Sequence, residues 1–308
     1  MKLSIILPTY NNEKTIRECL ESIQKQDFKD YEILLIDGGS DDNTKEIAKE
    51  FNCKILKNPY RVEEKARIQG INKAKGEVIV LIDADNVIPE KDFFNKMLEP
   101  FEDKEIAFSE SLYYSYRKND KLGVRYQALI GGDDPIVGYL GFYSRWNYFK
   151  GDWTGYPYFS EDKGNYLKII FKDKKKVPPM GCNGFFVRKK IAKKLIKDKF
   201  IHSDFIYDLV NKGYNCFAKV KKGIIHNQPK FFPNKLRRMK RRKSLGIKYD
   251  YGMSKWRIFL AVLYVGLFFP LFIDTIRGFI KKPDSAWLFH IPASYLLLLL
   301  YIYYNLFN

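Results

Sequence analysis

Cysteine is scarce and scattered. Cys19, Cys53, Cys182 and Cys216 are the only four in 308 residues and form no CxxC pair. That spacing excludes a disulfide-dense secreted scaffold and a zinc ribbon or knuckle, and it fits a reducing compartment. No GxGxxG and no GKS or GKT occurs, so the glycine amides that a dinucleotide oxidoreductase or a P-loop enzyme wraps around phosphates are missing. The opening MKLSIILPTY has one Lys and only a short apolar run before Pro8. It has no h-region or cleavage site, and is expected to belong to the fold, with the bulk of the chain on the cytoplasmic side. Apolar residues at 46% beside charged residues at 29% exclude disorder, collagen and a bundle made mostly of membrane spans. The length suits one large domain or two ordinary ones.

What is present begins with alternation. Apolar, β-branched runs at Leu3–Leu7, Glu32–Ile36, Lys54–Leu56 and Val78–Ile82 are separated by helical spacing over Thr15–Gln26, Thr44–Phe51 and Val62–Lys75. Near-continuous apolar strands between helices predict a parallel sheet covered on both faces. Ligands of such sheets sit beyond the carboxyl ends of the strands. From Leu112 to Phe171 the chain becomes rich in aromatics and glycine without clear period. It reads either as core or as loops whose rings stack on sugars or rest at a lipid interface. Helices are expected at Lys189–Lys197 and at Ser203–Lys212, the latter closed by Gly213.

The net charge is +18, with the densest basic run, KLRRMKRRK, at Lys235–Lys243. Two apolar stretches follow. Residues 286–307 carry no formal charge, and as a helix they cover roughly 33 Å, enough for a hydrocarbon core. Residues 258–276, which include Asp274, reach roughly 28 Å and either span or lie in the interface. The basic run reads as a contact with anionic lipid head groups on the cytoplasmic side, and nucleic acid is not expected as a partner. Arg277, Lys281 and Lys282 between the stretches conflict with a two-span hairpin, which would place them outside.

Chemistry concentrates at strand ends. VIVLIDADN (Val78–Asn86) ends a strand in Asp83-Ala84-Asp85. Carboxylates this close repel unless a cation joins them, and Mg²⁺ or Mn²⁺ uses one or two carboxylates plus substrate phosphate oxygens. The alternative is a turn in which Asp85 caps a helix near Lys91. LPTYNNE (Leu7–Glu13) and LIDGGSDDNT (Leu35–Thr44) end the first two strands. Asp37 can accept hydrogen bonds from a base or ribose, and Gly38 and Gly39 let backbone approach a flat ring.

Together with ARIQGINKAKGE (Ala66–Glu77) and GCNGFFVRK (Gly181–Lys189), these segments resemble the family 2 glycosyltransferases, in order and spacing, from about Leu3 to His226. The resemblance implies the GT-A nucleotide-diphospho-sugar transferase fold, α/β and Rossmann-like with a mostly parallel sheet, followed here by C-terminal transmembrane or interfacial helices. It further implies inverting, metal-dependent sugar transfer from a UDP- or GDP-sugar, with Mg²⁺ or Mn²⁺. The acceptor class would be lipid-linked, as in dolichyl- or polyprenyl-phosphate sugar transferases at the cell membrane.

Carried over residue by residue, Pro8, Thr9, Tyr10, Asn11, Asp37, Gly39, Arg67, Asp83 and Ala84 line the nucleotide pocket. Asp83, Asp85 and His226 serve the metal, and Asn183, Gly184, Asp134 and Trp153 serve the acceptor. Asp134 reads equally as part of a Pro-initiated turn, Asp133-Asp134-Pro135, and His226 as a core histidine. The family's Glu-Asp pair is replaced by Ile201-His202-Ser203-Asp204, which leaves Asp204, then His202, as the base. An anionic lipid-phosphate acceptor would need no strong base. The expected domains are a transferase domain over 1–232 (nucleotide half 1–111, acceptor half 112–232), a basic juxtamembrane segment over 233–257 and membrane helices over 258–307. A nucleotidyltransferase, or a silent sugar-nucleotide-binding membrane protein, remains the alternative.

Overall fold

Each of the four apolar, β-branched runs in the first hundred residues becomes a strand. In the computed structural model, which describes residues 2–198, 200–227 and 255–307, β1 (Leu3–Thr9), β2 (Tyr31–Asp37), β3 (Lys54–Lys57) and β4 (Val78–Leu81) run parallel in the order β3-β2-β1-β4. Helices α1 (Glu13–Gln24), α2 (Thr44–Glu50) and α3 (Glu63–Lys73) make the crossovers. Gly70 lets α3 lie on the sheet, because a Cβ there would stand 2.5 Å from Ile6 Cγ2. Leu3, Ile5, Ile6, Leu34, Ile79 and Val80 are fully buried between the layers.

The remaining strands are β5 (Asn86–Val87), β6 (Phe108–Tyr114), β7 (Tyr158–Asp162), β8 (Tyr166–Phe171), β9 (Phe185–Arg188) and β10 (Cys216–His226). Beyond β4 the sheet becomes mixed, with β9 reversed between β4 and β6 and antiparallel pairs at its far edge. The order continues β4-β9-β6-β10-β8-β7, with β5 on β10. β9 runs against both β4 and β6, and β8 against both β7 and β10. Parallel pairs need a crossover of a dozen residues; β7 and β8 are joined by a short turn, so only reversal is open to them. The short helices α4 (Phe93–Leu98) and α7 (Lys189–Leu195), and α8 (His202–Asn211), complete this unit. Asp92 occupies the N-cap of α4, so Asp85 is not a helix cap.

Two compact units result. The first holds residues 1–112, 158–174 and 180–227; the second holds 113–157, 175–179 and the C-terminal helices. The expected acceptor half, 112–232, is thus divided between them. In the second unit the aromatic segment forms α5 (Leu122–Ile130) and α6 (Pro135–Tyr139), and Tyr126, Phe142, Phe149, Trp153 and Tyr156 are buried. Tyr126 and Phe149 share one cluster with Trp287 and Ala293. Core, not exposed loop, is the main role of these rings.

The apolar stretch 258–276 is not one helix. α9 (Lys255–Gly266) and α10 (Phe268–Lys281) meet at an 81° bend. Pro270 has no N–H for the Gly266 carbonyl, and its ring clashes with that turn, so the helix breaks between them. After a 3₁₀ turn at Ser285–Phe289, α11 (His290–Phe307) runs to the end of the described chain. Ser285–Tyr303 is long and apolar enough to cross a membrane. The basic run Lys235–Lys243 lies outside the described residues.

Candidate active site

The ends of β1, β2 and β4 carry the predicted residues to one edge of the sheet. Asp37 closes β2 and is buried. Its Oδ2 accepts the N–H groups of Gly39 (2.9 Å) and Ser40 (3.0 Å), and its Oδ1 accepts the Ser40 hydroxyl (2.5 Å) and the Thr9 hydroxyl (3.4 Å). The carboxylate therefore shapes the Gly38–Ser40 loop beside Tyr10. Gly39 has φ +87°, a conformation open to glycine. Tyr10 is half exposed under the Arg61 guanidinium, 6.0 Å from the ring centre. Asn11 is bound through its N–H to Ser40 Oγ and through Oδ1 to the Asp41 N–H.

At the end of β4, Asp83 and Asp85 turn to different partners. Arg67 Nη2 donates to Asp83 Oδ1 at 2.7 Å and to Glu63 Oε1 at 2.6 Å. The guanidinium is buried and faces Phe200, with 5.9 Å to the ring centre. Burial works against its charge, but Glu63 and Asp83 outweigh it and raise the arginine pKa. Its Nε–H has no hydrogen-bond partner among the described residues. Burial also raises the Asp83 pKa; Arg67 opposes the shift, and Glu63 and Asp85 add to it. Asp85 Oδ2 lies 3.5 Å from His226 Nε2.

Asn86 holds this turn together. It is fully buried; its Oδ1 accepts the Asp83 N–H at 3.0 Å, and its Nδ2 donates to Asn183 Oδ1 at 3.0 Å and to Asp85 Oδ1 at 3.3 Å. Its backbone is paired with His226. Gly184 N–H donates to the Leu81 carbonyl at 2.9 Å, so the GCNG turn is tied to the strand that ends in the acidic pair.

Of the sequence-predicted residues, Pro8, Thr9, Tyr10, Asn11, Asp37, Gly39, Arg67, Asp83, Ala84, Asp85, Asn183, Gly184 and His226 all lie in the first unit. His202 and Asp204 occupy the first turn of α8, whose N-cap is Ile201. A Cβ on Gly181 would come within 3.3 Å of His202 Cβ, so that turn abuts the GCNG segment. Asp134 and Trp153 are corrections. Both belong to the second unit and are buried. Asp134 caps α6 by accepting the Ile136 and Val137 N–H groups, and it accepts the Tyr301 hydroxyl at 2.5 Å; its carboxylate is used in folding. Trp153 is fully enclosed, so neither ring face is open to a sugar. Sequence reasoning missed Glu63, although its spacing of four from Arg67 on a helix was a usable signal. It also missed Asn86, Phe200 and Arg61, for which no local signal exists.

Among the described residues no three His, Cys, Asp or Glu groups converge to hold a metal by themselves. Asp85 and His226 do fit two adjacent positions. Cis ligands of an octahedral ion at about 2.1 Å stand roughly 3 Å apart, close to the 3.5 Å found. Asp83 is turned to Arg67 instead.

Residues 4–196 match the family described as Glycosyl transferase family 2. The chain belongs to that family. A relative from Streptococcus pneumoniae serotype 4, glycosyltransferase GlyG, is 32% identical over 49% of this chain and 51% of its own length. A Methanococcus voltae enzyme, dolichyl N-acetyl-alpha-D-glucosaminyl phosphate 3-beta-D-2,3-diacetamido-2,3-dideoxy-beta-D-glucuronosyltransferase, is 38% identical over 32% of this chain and 34% of its own. The chain thus spans about half, or less, of the length of these curated relatives. Among solved structures, mannosyltransferase PcManGT from Pyrobaculum calidifontis in complex with GDP-Man and Mn²⁺ superposes with a TM-score of 0.51 at 16% identity, covering 96% of this chain and 78% of that one. Glucosyl-3-phosphoglycerate synthase from Mycobacterium tuberculosis, in complex with Mn²⁺, UDP-Glc and phosphoglyceric acid, gives 0.51 at 18% identity, covering 78% and 76%. At these identities the likeness establishes the GT-A fold of this family 2 chain.

Proposed function

We propose that this chain moves a sugar from a UDP- or GDP-sugar to a lipid-linked acceptor at a membrane surface, with inversion at the anomeric carbon. The observation that carries the reading is the convergence of Asp83, Asp85, Arg67 and His226 at the carboxyl end of β4 in a family 2 domain. The Asp37 loop and Tyr10 seat the base and ribose. Arg67, held by Asp83 and Glu63, supplies positive charge beside the diphosphate. Asp85 and His226 would hold Mg²⁺ or Mn²⁺, which when bound supplies positive charge beside the leaving diphosphate. Asn183 and Gly184 border the acceptor. Asp204, or His202 one turn-face away, takes the acceptor proton as its oxygen attacks and nucleoside diphosphate departs. Alignment of the two substrates contributes the rest of the rate.

The membrane part of the proposal rests on Ser285–Tyr303, on the bent pair α9–α10 and on the relative acting on a dolichyl-linked sugar. A bent pair lying in the interface keeps Arg257, Arg277, Lys281 and Lys282 on the side of Lys235–Lys243, facing anionic cytoplasmic lipids. It also removes the conflict that a two-span hairpin creates. The test is a panel of UDP- and GDP-sugars with Mn²⁺, read by thermal shift and by label transfer to polyprenyl phosphate in vesicles. One donor should raise the melting temperature and label the lipid. Release of pyrophosphate instead, or donor binding with neither transfer nor donor hydrolysis, would sink the reading.

A further inference from the structure

Glu110 on β6 and Lys219 on β10 are enclosed inside the first unit, at 1% and 0% side-chain exposure, with Nζ donating to Oε2 at 2.6 Å. Buried pairs of this kind are poor sources of stability, since an apolar pair of similar volume commonly serves as well or better. Their cost calls for another use. The second oxygen of Glu110 accepts the Gly181 N–H at 3.2 Å. Gly181 opens a turn in which three residues take positive φ: Gly181 (+101°), Asn183 (+52°) and Gly184 (+78°). Such a turn is held by its anchors and not by its own preference.

The anchors form a line. Glu110 fixes Gly181 at one end, and Leu81 O fixes Gly184 at the other. Between them Asn183 accepts from Asn86, and Asn86 in turn accepts the Asp83 N–H and donates to Asp85. Gly181 also backs onto Ile206 and His202, so the same point sets the height of the α8 first turn that bears Asp204. We infer that Glu110, held in place by Lys219, is a positioning residue for sugar transfer: through the Gly181 N–H it sets the GCNG turn, and through Asn183 and Asn86 the two carboxylates. The inference rests on the transfer reading above.

Two double variants separate this role from packing. Glu110→Leu with Lys219→Met removes both charges and the acceptor; Glu110→Gln with Lys219→Met removes both charges and keeps an oxygen for Gly181. Both should fold. The Leu/Met enzyme should lose kcat by about tenfold or more, the scale of a misplaced reacting group, with donor KM changed far less, while the Gln/Met enzyme stays within about threefold of the parent. A Leu/Met enzyme with parental kcat, or equal losses in both, overturns the inference. Amide exchange of residues 180–184 needs no donor: it should be about tenfold faster in the Leu/Met protein than in the Gln/Met one, and equal exchange overturns the positioning claim. Clear exchange differences with no transfer by the parent from any donor would sink the transfer reading alone. Should the Leu/Met protein fail to fold, Asn183→Gly, which keeps positive φ and cuts the line beyond the pair, takes its place. Parental kcat in that variant would also overturn the inference.

Discussion

Lys219 and Glu110 pair inside the sheet, both enclosed, whereas Arg67 at the strand ends faces Asp83 and Glu63 together, with Asp85 and His226 beyond. The first cluster is neutral and closed. The second carries more acid than base, and its carboxylates keep part of their surface open, at 28% for Asp83 and 24% for Asp85. A neutral closed pair has nothing to gain from a ligand. An acidic corner open on one side gains from every added positive charge, which is the property a donor site with a divalent ion needs. The sign of the imbalance, more than the depth of burial, separates scaffold from site.

Four outcomes would break or sharpen that contrast. The largest is expected from Lys219→Met alone, which strands a buried carboxylate and should cost about 3–5 kcal/mol of stability by denaturant unfolding; a loss no greater than that of a surface pair would erase the contrast. Next, Asp85→Asn should lower transfer by about 10²–10³-fold, the scale of removing one preorganised electrostatic partner, with the melting temperature nearly unchanged. Retained turnover with Mn²⁺ would remove Asp85 from the ion site. Third, the raised Asp83 pKa means that the folded protein keeps a proton which the unfolded chain, with an ordinary aspartate, has already released. Stability contributed by that proton is complete below the ordinary aspartate range and declines as pH rises through the folded value. Melting temperature against pH should therefore fall less steeply over that window in Asp83→Asn; identical slopes would contradict a raised Asp83 pKa. The smallest effect belongs to Lys168→Ala, which breaks bridges to Asp103 and Glu105 at 2.7 and 2.6 Å on the surface and should cost no more than about 1 kcal/mol.

The parallel half was legible residue by residue. Runs such as Val78–Ile82 became strands within two residues of their expected ends, because a buried parallel strand must be apolar on both faces and the sequence states that locally. Asp37, Asp83 and Asp85 stand out as strand-end acids for the same reason: each follows such a run. The aromatic segment was half legible, since its rings announce burial but not which helices they bury against. Asp134 shows the limit. Its Pro135 neighbour signals a helix start, which it is, but its second partner, Tyr301, lies 167 positions away.

From its order of residues alone the chain determined a βα alternation, three strand-end acids and the family to which it belongs. Those properties depend on local periodicity and on backbone chemistry within a few residues. Which charges meet was decided only by the folded sheet: Asn86 reaches Asn183 across 97 positions because β9 returns antiparallel beside β4, and Glu110 finds Lys219 across 109 because β6 and β10 are neighbours. Ion pairs and amide contacts act over about 3 Å, and strand order, not spacing along the chain, determines what lies within that reach.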